Sequence, residues 1–128
     1  MTYYFAKTLS CSFEEAVRRA TEALKQAGFG IIREIDVQET LKRKLGIDFR
    51  GYRILGACNP RMAHHALTIE DKIGTMLPRN VIVQELGSGK TEVAAIDPIA
   101  SMQAIDNPRL QEAAKQVQTA LRDVISGL

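Results

Sequence analysis

A chain of 128 residues is long enough to bury one continuous core without disulfides or a metal staple, and short enough to predict a single domain, residues 1–128. Its 45% hydrophobic and 25% charged residues exclude a disordered or low-complexity chain. Seventeen Lys plus Arg against fifteen Asp plus Glu leave a net charge of +2, interleaved along the sequence, which argues against a nucleic-acid partner.

Tyr3 to Leu9, aromatic and small apolar residues ending at a polar cluster, predicts a first strand. A capping box starts the first helix: Ser12 covers an orphan N–H and Glu15, three residues on, reaches back to the cap. Phe13, Val17, Ala20, Leu24 and Ala27 follow at spacings of three and four, an apolar helical face, and Gly28 stops it. Gly30 to Val37 alternates in part and predicts a strand with one wet face. Glu39 to Leu45 predicts a short charged helix ended by Gly46.

Tyr52 to Ala57, with few charges, has the pattern of a more buried strand. Asn59 and Pro60 then fit a cap and first-turn proline, opening a helix to about Glu70 with Met62, Ala66 and Ile69 along one side. Asn80 to Glu85 and Thr91 to Ile96 predict a hairpin around a glycine-containing loop. After Asp97-Pro98 comes a loose segment. A last helix from Asn107-Pro108 puts Leu110, Ala113 or Ala114, Val117, Leu121, Val124 and Ile125 on one face. This order predicts an α+β fold: a mixed or mainly antiparallel sheet with the long first and last helices packed on it.

Gly87 to Thr91, GSGKT, imitates a phosphate-binding loop. The full pattern needs glycine five positions before Gly89, where Gln84 stands, and a helix must follow where a strand is predicted. A hairpin loop without nucleotide is the expectation. Only two cysteines, Cys11 and Cys58, argue against a disulfide scaffold. The first residues lack the sustained apolar run of a signal peptide, and no stretch reaches the about 18 apolar residues of a membrane span. A soluble cytoplasmic protein without membrane contact is expected.

Gly51 to Asn80 gathers Cys58, both histidines and two of the four prolines. A thiol with a nearby imidazole suits a nucleophile and base pair, or two ligands of a soft metal. His64 and His65 are adjacent, so on a helix they project about 100° apart and cannot readily serve one site. No third nitrogen or sulfur ligand is close, and no metal site is assigned. A buried structural Cys58 is the simpler expectation.

Gly56-Ala57-Cys58-Asn59-Pro60, the Ala63 to Leu67 helix, Gly74, Leu77-Pro78, Asn80-Val81 and Asp97-Pro98 together resemble the domain of unknown function family 302. The resemblance implies a small α+β fold, mainly bacterial and archaeal and often stand-alone, with no established reaction or cofactor. It also pairs the Cys58 segment with Leu77 to Asn80, where members often carry a cysteine and this chain has Arg79. That departure weakens a two-thiol site and leaves open an anion-binding version in which Arg79 presents a guanidinium beside Cys58 and Asn59, with backbone N–H groups available at the helix start. The reading is a ligand-binding or interaction module with a pocket at Cys58, Asn59, His64 and Arg79, its ligand a small molecule or anion. The alternatives are a thiol-dependent enzyme or metal-binding protein using Cys58 and a histidine, and a structural homo-oligomer subunit such as a homodimer.

Overall fold

Helix caps and strand alternation set most element boundaries in the computed structural model, which describes residues 2–128. The strands are β1 (Tyr4–Leu9), β2 (Gly30–Asp36), β3 (Tyr52–Cys58), β4 (Arg79–Gly87) and β5 (Lys90–Ile96). The helices are α1 (Phe13–Gln26), α2 (Val37–Leu45), α3 (Pro60–Ile69), α4 (Pro98–Ser101) and α5 (Pro108–Ser126), with a 3-10 turn at Asp71–Met76. The sheet order is β1-β5-β4-β3-β2 and every neighbouring pair is antiparallel. The sequence left open a mixed sheet; this α+β domain has none. Because β1 and β2 are the two edges, the segment carrying α1 spans the width of the sheet.

Alternation along β4 decides which face the helices cover. Arg79, Val81 and Val83 are buried, whereas Asn80 is exposed and Ile82 and Gln84 are half-buried. Ala16, Val17, Ala20 and Leu24 of α1 and Val117, Leu121, Val124 and Ile125 of α5 pack with Leu55, Val81, Val83, Val93 and Ala95 into the main core. A second cluster, Ala66, Ile73, Met102, Leu110 and Ala114, lies where α3, the 3-10 turn, α4 and the start of α5 meet. Two regular elements here escaped the sequence reading: the 3-10 turn and α4, which fills the expected loose segment. Asp97 initiates α4 by accepting from the Ile99 amide at 3.0 Å.

The start of α1 is half the capping box expected. Ser12 Oγ accepts from the Glu15 amide at 3.1 Å. The Glu15 carboxylate turns instead to Arg18, whose Nε donates at 3.0 Å, and that hydrogen bond holds the Glu15 carboxyl below its ordinary pKa. A guanidinium one turn on outcompetes the cap amide because both partners are charged. Ser12→Ala is expected to cost about 1 kcal/mol, read as a lower urea midpoint with unchanged slope.

The β4–β5 connection is a two-residue loop with positive φ at Ser88 (54°) and Gly89 (73°), the primed-turn geometry that matches strand twist. The predicted hairpin is present. A strand follows this glycine loop, so it does not lead into a helix N-terminus as a phosphate-binding loop does. Among the described residues, no helix is long and apolar enough to cross a membrane.

Candidate functional site

Where β3 ends and β4 begins, the domain holds a cavity of about 310 Å³. Ala57 and Arg79, partners across the β3–β4 ladder, contribute the sheet side. Met62, His65 and Ala66 line it from α3, and Leu110, Ala113, Ala114 and Val117 from α5. Phe29, Pro78 and Met102 add further apolar surface. The small side chains of α5 matter here. Alanine at 113 and 114 leaves open a volume that leucine would fill.

Arg79 is the anomaly in this lining. It occupies an inward position of β4 and is only 6% exposed. Among the described residues no carboxylate lies within ion-pairing distance of it. Its single side-chain contact of hydrogen-bond type is from Nη2 to Met102 Sδ at 3.6 Å, and a thioether is a weak acceptor. Burial pushes its pKa down to about 10, so the guanidinium remains protonated at neutral pH. Arg53 shows what a paired arginine looks like in the same fold. Its guanidinium reaches Glu34 at 3.0 Å, Glu14 at 3.3 Å and Asp36 at 3.7 Å.

Asn59 is the helix cap expected of it. Its Oδ1 accepts from the amides of Arg61 (3.1 Å) and Met62 (3.2 Å), capping α3 with its own side chain. Those amides are therefore not free for an anion, and the helix start is closed as a binding feature. The amide nitrogen of Asn59 points towards Gly28, 3.0 Å from where a Cβ would stand.

Cys58, Asn59 and Arg79 all line this one cavity, and His64 does not. Both histidines are exposed, and of the two only His65 borders the cavity. Helix phase explains the difference: His65 adjoins the side that carries Met62 and Ala66, and His64 projects about 100° away from its successor. Cys58 is a free, half-buried thiol. Cys11 is also free and sits at the β1–α1 junction, where its carbonyl accepts from Thr91 Oγ1 at 3.0 Å. Among the described residues, no three of His, Cys, Asp or Glu gather as metal ligands.

Gly56 shapes the cavity from the opposite face of β3. A Cβ there would stand 2.9 Å from Pro78 Cγ, closer than side-chain atoms pack, and a tight 3.2 Å from Arg33 Cβ. Since Pro78 immediately precedes Arg79, Gly56→Ala must displace the segment that carries the guanidinium. We expect a loss of about 1–3 kcal/mol in chemical denaturation.

The sequence did not single out Phe29, Met62, Met102 or the α5 positions as cavity lining. For Met62 and the α5 positions the advance signal was an apolar helix face, which does not say whether that face meets a core or a cavity; Phe29 and Met102 lie outside the predicted helices and carried none.

No match was found among curated proteins. Among solved structures, the crystal structure of an uncharacterized conserved protein DUF302 from Bacillus stearothermophilus is similar, with 28% identity and a TM-score of 0.90 over 98% of each chain. Residues 5–128 match the family described as Domain of unknown function DUF302. With the expected motif order now seen in an α+β fold, and nearly the whole length matched, the chain belongs to the family of the domain of unknown function DUF302.

Proposed function

We propose that this protein is a small-molecule-binding protein that takes an anionic ligand into the cavity between α3 and α5, with Arg79 as its charge anchor. The observation that carries this reading is an arginine residue only 6% exposed, with no carboxylate partner among the described residues, in a lining whose other polar side chains, Asn59, Arg61, His65 and Gln116, are half-buried or exposed. A buried charge is costly unless paired, and Met102 sulfur is a poor substitute for an anion. A ligand oxyanion supplies the missing counter-charge. The size of the cavity falls at the lower end of small-molecule sites, which combine apolar walls with a few polar groups. Cys58 contributes shape to this site and no covalent step.

The test is native mass spectrometry of the purified protein for a retained small molecule, followed by thermal shift with small organic anions. Binding at a hundredfold excess over Kd is expected to stabilise by about 2.7 kcal/mol. The effect should vanish in Arg79→Met. Undiminished anion binding by that variant would refute Arg79 as the anchor.

A further inference from the structure

We infer that the ligand class is a singly charged carboxylate on a compact apolar body, rather than a phosphate ester. This rests on the reading of Arg79 as the anion anchor and goes further by naming the head group and its body.

Three observations on the cavity select this class. The first is charge balance. Arg79 is the one buried charged side chain in the lining; Arg61 and His65 are exposed and meet solvent. One guanidinium neutralises one negative charge, so a phosphate monoester dianion would bring an uncompensated charge into an apolar space. Water and salt screen the exposed Arg61, which is therefore a weak second partner.

The second observation is that no further donor in the lining is buried: Arg61, His65 and Gln116 are exposed and Asn59 is half-buried. Phosphate sites on helix starts use backbone amides, and here the Arg61 and Met62 amides are already held by Asn59 Oδ1 at 3.1 and 3.2 Å. A tetrahedral head group with several acceptor oxygens would leave most of them unsatisfied. A planar carboxylate needs only the fork of one guanidinium, to which its two oxygens are geometrically matched.

The third observation is the wall. Phe29, Met62, Ala66, Leu110, Ala114 and Val117 offer no hydrogen-bonding side chain. They suit a hydrocarbon or aromatic body. A cavity of about 310 Å³ lies at the lower end of small-molecule sites and suits a compact body. Octanoate, with eight carbons and two oxygens, serves as the probe of this class. Binding is reversible: the head group pairs with the guanidinium, and no bond is made or broken.

The experiment compares octanoate, octyl phosphate and octylamine on the full chain by isothermal titration at pH 8, where octyl phosphate is mainly a dianion. Octanoate is expected to bind at least tenfold more tightly than octyl phosphate, with no binding of octylamine. Arg79→Lys, which keeps the charge and loses the fork, should weaken octanoate at least tenfold, with far-UV circular dichroism confirming the fold. Octyl phosphate binding as tightly as octanoate, with both dependent on Arg79, overturns the carboxylate class and leaves the anion anchor standing. If neither anion binds, or octylamine binds as well as octanoate, both the class and the anchor fail.

Discussion

Arg79→Met is expected to make the ligand-free protein more stable, by about 2 kcal/mol, while removing its capacity to hold an anion. The guanidinium is buried, and its pKa is lowered to about 10 by that burial alone. A base whose folded pKa lies below its unfolded value penalises folding wherever it is protonated. Below about pH 10 the penalty is therefore fully present; as pH rises from there towards the ordinary arginine pKa it is relieved. Across pH 6 to 9 the stability gap between variant and parent should stay constant. Methionine has a comparable reach and an apolar end that suits Met102, Leu110 and Ala114. In a domain of this size the gain amounts to a rise in Tm of about 5–10 °C. A fall in Tm with the fold intact would mean that the charge already has a favourable environment without ligand, and the argument for a missing counter-ion would lose its basis.

Leu121→Ala should have the opposite sign and a larger magnitude, about 3 kcal/mol of lost stability and a drop in Tm of about 10 °C. Leu121 is fully buried in the main core, where α5 meets the sheet. Truncation removes its transfer free energy and leaves a void among neighbours from α1 and the strands, which can close only in part. The contrast is Ile32, at 65% exposure beside the β2 irregularity, where alanine should change stability by no more than about 0.5 kcal/mol. If Leu121→Ala and Ile32→Ala cost the same, the helix-on-sheet core described above is misplaced. Because Leu121 does not line the cavity, the folded fraction of its variant should still bind any ligand of the Arg79 site.

Both predictions depend on inward positions of regular elements, and the sequence made many of those positions legible. Ser12, Asn59 and Asn107 stand before helices that do begin there, because a short side chain accepting from the next free amides is a local event. The five-residue series from Leu110 through Val117, Leu121, Val124 and Ile125 is buried as its spacing required, since helical geometry alone fixes which residues share a face. The hairpin at Ser88-Gly89 was equally readable from its turn residues. So was the family, from the order of Gly56 to Pro60, Leu77-Pro78 and Asp97-Pro98.

What the sequence could not decide was which of these local pieces face one another. That β1 lies beside β5 and not β2 depends on long-range pairing, and nothing in either strand's alternation encodes its partner. Glu15 was expected to close a capping box and chose Arg18 instead, a competition between two nearby partners that spacing alone does not rank. His64 and His65 were indistinguishable until the phase of α3 was set against α5, which left both exposed and only His65 beside the cavity. Arg79 is the clearest case. Composition counts it as one of seventeen basic residues, and its segment was singled out only through a family resemblance. Its burial without a carboxylate exists because β4 alternation turns it under α3 and α5, while Ala113 and Ala114 leave room above it. Charge and residue type are written in the chain; whether a charge meets water, a partner or an empty apolar space is decided only when distant elements close around it.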